Sequence, residues 1–95
     1  QATGLWKCLQ QGQAMVLEGE TRSLVITEEL TRFLETGGFD QVDYLAIVDP
    51  ETLQSREHID TPLRLLIAAR LGTTRLIDNC LLSLPAGPVT GTEQE

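Results

Sequence analysis

Apolar positions along this chain change their spacing once, at Gly37-Gly38. Upstream they recur every three or four residues; downstream they alternate or run together. Leu5, Leu9, Gly12 and Val16, flanked by Cys8 and Met15, form a stripe that predicts a helix from about Gly4 to Glu18. Thr3 is placed to cap its start and Gly19 to follow its end. Trp6 lies off the stripe and reads as a core-edge aromatic, with an anchor against a neighbouring domain as the alternative. A second helix is expected from Ser23 or Leu24 to Thr36, with Ile26, Leu30, Phe33 and Leu34 inward. Glu28, Glu29, Arg32 and Glu35 form its solvated side, Glu28 and Arg32 being spaced to pair. The β-branched Val25-Ile26-Thr27 leaves its first turn open to an extended reading.

Beyond the glycines the period falls to two. From Gln41 to Asp49, Val42, Tyr44, Ala46 and Val48 alternate with Asp43, Leu45, Ile47 and Asp49, which predicts a strand. Asp49-Pro50-Glu51-Thr52 has turn chemistry, since Asp accepts from nearby backbone N–H groups and Pro presets φ. Residues 54–62 are polar and read as a surface loop. The segment from Arg64 to Asn79 then holds two apolar runs separated by Gly72-Thr73-Thr74. A β-hairpin fits best; a continuous helix is the rival, because leucine and alanine favour helix, but Gly72 and its neighbours would weaken its centre. The expected strands lie near 42–48, 64–71 and 75–82. The fold class is therefore α+β: two N-terminal helices packed on a small three-stranded antiparallel sheet.

In the hairpin, Leu65, Ile67, Ala69 and Leu71 share one face, and Leu66, Ala68 and Arg70 the other. Leu76, Asp78, Cys80 and Leu82 alternate with Arg75, Ile77, Asn79 and Leu81. Neither face is wholly polar, so cover is expected on both. Arg70, Arg75, Asp78 and Asn79 are polar groups inside an apolar segment. Burying such groups without partners costs about 1–3 kcal/mol each, and more for a charge. They either pair with one another or cap the hairpin, or else face a ligand or a second domain. The specific expectation is that Arg70 or Arg75 holds Asp78, with a β-bulge or the hairpin end bringing the arginine round from the opposite face.

Composition narrows the function classes. Ninety-five residues make one domain, and with aromatics at 4% its core must be largely aliphatic. A net charge of −7 without a basic cluster argues against nucleic-acid and anionic-membrane surfaces. No apolar run approaches the roughly 20 residues of a spanning helix, and no signal-peptide pattern occurs, so a cytoplasmic location is expected. Cys8 and Cys80, without a C-x-x-C, read as buried free thiols. His58 lies between Glu57 and Asp60, but nothing completes a metal or base constellation around it. Phosphate-binding, dinucleotide and metalloprotease motifs are all missing, so no catalytic, cofactor or metal residue is assigned.

The segments R-L-L-I-A-A-R-L-G-T-T-R-L-I-D-N and F-D-Q-V-D-Y-L-A-I-V-D-P-E-T-L, with the opening G-L-W-K-C-L-Q-Q-G, carry a resemblance. Together, over roughly Ala2 to Ser83, they resemble the C-terminal domain of the pantothenate synthetase (pantoate–β-alanine ligase) family. That resemblance implies a lid domain over residues 1–84, followed by a flexible tail or interdomain linker over 85–95. It implies a parent enzyme that joins pantoate and β-alanine through pantoyl-adenylate, using ATP and Mg2+. Its Rossmann-like N-terminal domain would be the partner and would carry the HxGH motif and KMSKS-like loop, neither of which occurs here. Gln1 begins close to a helical pattern, which suggests a piece of a longer polypeptide. Some family members continue into a cytidylate kinase, for which the tail would be the linker, and the full-length enzyme is open to homodimerisation. An acidic interaction or dimerisation module is the alternative function. On the ligase reading, the isolated chain is expected to be catalytically silent.

Overall fold

The computed structural model describes residues 2–85 and has the order α1 (Ala2–Leu17), α2 (Ser23–Thr36), β1 (Gln41–Val48), β2 (Leu63–Leu71) and β3 (Thr74–Leu82). The strands form one antiparallel sheet in the order β1-β2-β3, so the expected α+β architecture holds, hairpin included. The tail expected over 85–95 lies, beyond Pro85, outside the described residues.

Glycines end both helices by the same geometry. At α1, Gly19 takes φ +108°, its N–H donates to the Val16 carbonyl and the Glu20 N–H reaches back to Met15. At α2, Gly38 takes φ +98° with the same pair of bonds, from Gly38 to Glu35 and from Phe39 to Leu34. These are Schellman closures, which satisfy the last helix carbonyls, and at α2 the closure also brings an apolar residue back onto the final turn. Phe39 is buried against the core with Leu34, completing that contact. At its other end α1 runs back past Thr3 to Ala2, so Thr3 is not its cap.

Both helices cover one face of the sheet. Leu5, Cys8, Leu9 and Val16 of α1 and Ile26, Leu30 and Leu34 of α2 meet Leu63, Leu65, Ile67 and Ala69 of β2. Each large aliphatic side chain buried this way contributes about 1.5–3 kcal/mol of transfer free energy. The approach is closest at Gly12, where a Cβ would lie 3.0 Å from Leu65 Cδ2 and 3.1 Å from Leu30 Cδ1. Gln13 ties α1 to the end of β3: its amide donates to the Ser83 carbonyl and accepts from the Ser83 N–H, both at 2.9 Å. This mimics the strand neighbour that β3 lacks at that end.

Several expectations need correction. Phe33 is partly exposed, and the inward face of α2 is Ser23, Ile26, Leu30 and Leu34. Arg32 pairs with Glu29, three residues back, at 2.7 Å, and not with Glu28. Trp6 is 56% exposed, which removes the core-edge reading. The loop over 54–62 is polar except for Ile59, which is buried in the main core and donates its N–H to the Thr21 carbonyl. An isolated isoleucine among polar residues gives no periodic signal. The hairpin turn is only two residues, Gly72-Thr73, with Leu71 opposite Thr74. Gly72 alone of the pair has positive φ, +63°, the pattern of a type II′ turn.

The largest departure is in β1. Val42 pairs with Ala69 but Tyr44 pairs with Ala68, so Asp43 is the extra residue of a β-bulge. Beyond it the parity of the strand is reversed relative to strict alternation. Val42, Leu45 and Ile47 pack on the core, whereas Tyr44, Ala46 and Val48 belong to the opposite face. Among the described residues no helix packs on that opposite face, contrary to the expectation of cover on both sides, although Val48 and Ala68 on it are themselves buried.

Candidate functional site

The bulge decides where the charges of the sheet meet. Counted back from the core residues Leu45 and Ile47, strict alternation would point Asp43 at the aliphatic core, where an ionised carboxylate would be costly. The extra residue turns it outward, onto the face that carries Arg70 and Arg75. These two arginines stand directly opposite each other on β2 and β3, an arrangement that is repulsive by itself. Asp43 resolves it, with Oδ2 lying 3.1 Å from Arg70 Nε and 2.8 Å from Arg75 Nε. Its side chain is only 13% exposed, and Gln41 donates to Oδ1 at 2.8 Å. The hydrogen bond from Arg75, seconded by the charge and hydrogen bond of Arg70, holds the Asp43 carboxyl below the usual carboxylate range.

Asp43 therefore takes the arginines that the sequence pattern offered to Asp78. Asp78 has no ion pair among the described residues; its Oδ1 accepts the Asn79 N–H at 2.8 Å. The expected bulge exists, but in β1, and it delivers a carboxylate to the arginines where an arginine was expected to move to a carboxylate. Asn79 accepts from Arg64 Nη1 at 2.7 Å, so the polar group on this face is Asp43, Arg64, Arg70, Arg75 and Asn79. The signal for Asp43 was available: an Asp in an apolar strand must find a partner. The partner itself lies 27 and 32 residues away.

Between these polar residues runs an apolar band. Tyr44, Ala68 and Ile77 form one row across the three strands, and Ala46, Leu66 and Asn79 the next. Tyr44 is 41% exposed and Ile77 59%.

The other candidates separate from this face. His58 is exposed and bridges to Arg22 through the backbone. Arg56 lies 3.4 Å from Asp49 and 3.6 Å from Asp60, at the far end of β1. Asp49 accepts the N–H groups of Glu51 and Thr52 at 2.8 and 3.0 Å, as its turn chemistry predicted. The Thr52 and Glu51 N–H groups lower its pKa, in that order of weight. Cys8 and Cys80 are free; burial, with the nearby Cys80 in support, pushes the Cys8 thiol up to about 12. A cleft of about 650 Å³ opens beside the start of α2, lined by Ser23, Leu24, Val25, Leu45, Ile47 and His58 among others. The buried Ser23 Oγ has no hydrogen-bond partner among the described residues. No three His, Cys, Asp or Glu side chains converge as metal donors within them, and no helix is long and apolar enough to cross a membrane.

Comparison with known proteins matches residues 1–81 to the family model described as Pantoate-beta-alanine ligase. A pantothenate synthetase of Syntrophobacter fumaroxidans is 40% identical over 81 residues, 85% of this chain and 29% of that protein. One from Paramagnetospirillum magneticum reaches 60% identity over 42 residues, 44% of this chain and 15% of its own length. Among solved structures, the crystal structure of pantothenate synthetase from Thermus thermophilus superposes with a TM-score of 0.72 at 29% identity. That match covers 83% of this chain and 28% of the crystallised one, so the chain spans under a third of the relatives it matches.

Proposed function

The chain belongs to the pantoate-beta-alanine ligase family, and from that membership we propose that it is the C-terminal lid domain of a pantothenate synthetase. The parent enzyme joins pantoate and β-alanine, forming a pantoyl-adenylate from ATP with Mg2+ and releasing AMP. One observation carries the reading: a family match over 81 residues corresponds to 29% of a relative's length, in a chain without the HxGH and KMSKS-like motifs.

The described residues do not fit ATP or Mg2+, lacking both a convergent metal-donor set and a phosphate-binding loop. Binding of both is therefore assigned to the N-terminal Rossmann-like domain of the same polypeptide, and no step of adenylation is assigned to this chain. Its own contribution is mechanical and dielectric. A small rigid body with a continuous aliphatic core moves as a unit and keeps water from a reactive acyl-adenylate while the amine attacks.

The test compares three samples with ATP, Mg2+, pantoate and β-alanine: this chain, the full-length polypeptide, and the full-length polypeptide cut back before Gln1. Only the full-length protein should release AMP and pantothenate together. AMP formation by the isolated chain, or no ligase activity in the full-length protein, overturns the proposal.

A further inference from the structure

We infer that the cleft at the start of α2 binds a short aliphatic carboxylate, its charged head held by the opening turn of the helix and its body by the apolar lining. The inference does not depend on the ligase reading.

The place of the head is set by what the first turn of α2 lacks. A helix begins with backbone N–H groups that have no acceptor in a preceding turn, and a capping side chain ordinarily takes one of them. Here the residue before the helix is Arg22, which makes no side-chain bond to the turn, and no acidic residue stands in the turn. The Glu57 carbonyl accepts the Ser23 N–H at 2.9 Å, and the Arg22 carbonyl accepts the Ile26 N–H at 3.3 Å. Between them, the N–H groups of Leu24 and Val25 have no acceptor among the described residues.

Ser23 supplies a second, independent observation. It is only 8% exposed, and among the described residues its Oγ is the one buried side-chain polar atom without a hydrogen-bond partner. An unpaired buried hydroxyl is destabilising, so it marks a place where a partner is missing. Ser23, Leu24 and Val25 all line the same cleft, of about 650 Å³. A hydroxyl and two N–H donors therefore belong to one wall, and a carboxylate there would complete the cap that Arg22 does not provide.

The rest of the lining selects the ligand class. Val25, Leu45, Ala46 and Ile47 make it apolar, and its volume suits a small molecule. Arg22 and Arg56 against Glu57 give the lining +1 in a chain of net −7, before any charge on His58. Arg22 is committed to Glu20 at 3.0 and 3.2 Å. Arg56 is held only loosely, by Asp49 at 3.4 Å and Asp60 at 3.6 Å, and its Nε has no partner among the described residues. The positive end of the α2 dipole adds to this field. A metal cation finds donors here and not acceptors, and a polyanion has no use for the apolar lining. An anionic head on a short hydrocarbon body satisfies both.

The test titrates sodium isovalerate into the nitrogen-15-labelled chain at constant ionic strength, with neutral isovaleramide as the control. The backbone amide resonances of Leu24 and Val25 should shift saturably, with half-saturation on the order of 1–10 mM for so small a ligand. Isovaleramide should bind about tenfold more weakly or not at all. Ser23→Ala should raise the melting temperature, because it removes an unpaired buried hydroxyl, and should weaken isovalerate about fivefold. Arg56→Gln should weaken isovalerate about fivefold and leave isovaleramide unchanged. Equal binding of acid and amide overturns the inference, as does parental affinity in both variants. Shifts that never saturate and spread over the exposed charged residues also overturn it, since they report ionic screening alone.

Discussion

Gly12 and Leu65 should be energetically coupled, and a double-mutant cycle measures that coupling. Leu65 is fully buried at the middle of the sheet, between Ile47 and Cys80 on the neighbouring strands. Leu65→Ala removes three carbons from a closed core, which costs about 2–5 kcal/mol. A domain of this size holds about 4–12 kcal/mol in total, so the variant loses a large fraction of its stability. With a urea m-value near 1–1.5 kcal/mol/M, the midpoint should fall by about 1.3–5 M. Gly12→Ala alone pits a helix-propensity gain of about 1 kcal/mol against overpacking of about 1–3 kcal/mol, because its methyl group meets Leu65 at 3.0 Å and Leu30 at 3.1 Å. It should be neutral or mildly destabilising. In the Leu65→Ala background the first contact is gone and Leu30 can swing into the vacated volume, so the same change should stabilise. The coupling should be favourable by at least about 1 kcal/mol. Urea midpoints followed by far-ultraviolet circular dichroism at constant m-value give the four corners of the cycle. Additivity within about 0.5 kcal/mol would show that α1 does not press on Leu65 as the geometry requires.

Asp43 and Asp49 both have depressed carboxyl pKa values in the folded protein, so the stability they contribute is present above the unfolded aspartate pKa near 3.9 and is lost as pH falls through the folded values. Asp43→Asn and Asp49→Asn should each flatten the acid limb of a stability-against-pH curve, and an unchanged limb in both would refute the ion-pair and turn geometry. Asp78→Asn should change stability by less than about 0.5 kcal/mol, since no arginine holds that carboxylate; a larger loss in urea melts would restore an ion pair for it. Cys8, buried with its thiol raised to about 12, should resist a thiol reagent at pH 8 until the domain unfolds, while half-buried Cys80 reacts first. Equal rates for the two in the native protein would contradict that burial.

Element types and boundaries were legible in the sequence because their causes are local. The step from a 3.6- to a 2-residue period at Gly37-Gly38, the turn chemistry at Asp49-Pro50 and the glycine at 72 each state a backbone preference within a few residues. The resemblance in the hairpin and in the D-Y-L-A-I-V-D-P-E-T-L block reached the family from the same short stretches. The candidate site was legible only in part. That Arg70 and Arg75 needed a carboxylate followed from their chemistry, but the choice between Asp43 and Asp78 did not. It depended on one inserted residue in β1, which reverses every side chain beyond it and brings together groups 27 and 32 positions apart. A bulge forms where it relieves a conflict between strands, here a carboxylate aimed at the core and two arginines facing each other. That conflict exists only once the strands are paired. The same dependence left Ile59 unread, since an apolar residue in a polar loop is a core residue only if the tertiary fold carries the loop back over Thr21. It also left the second sheet face uncovered, because periodicity tells which residues share a face and only packing tells which face the helices take.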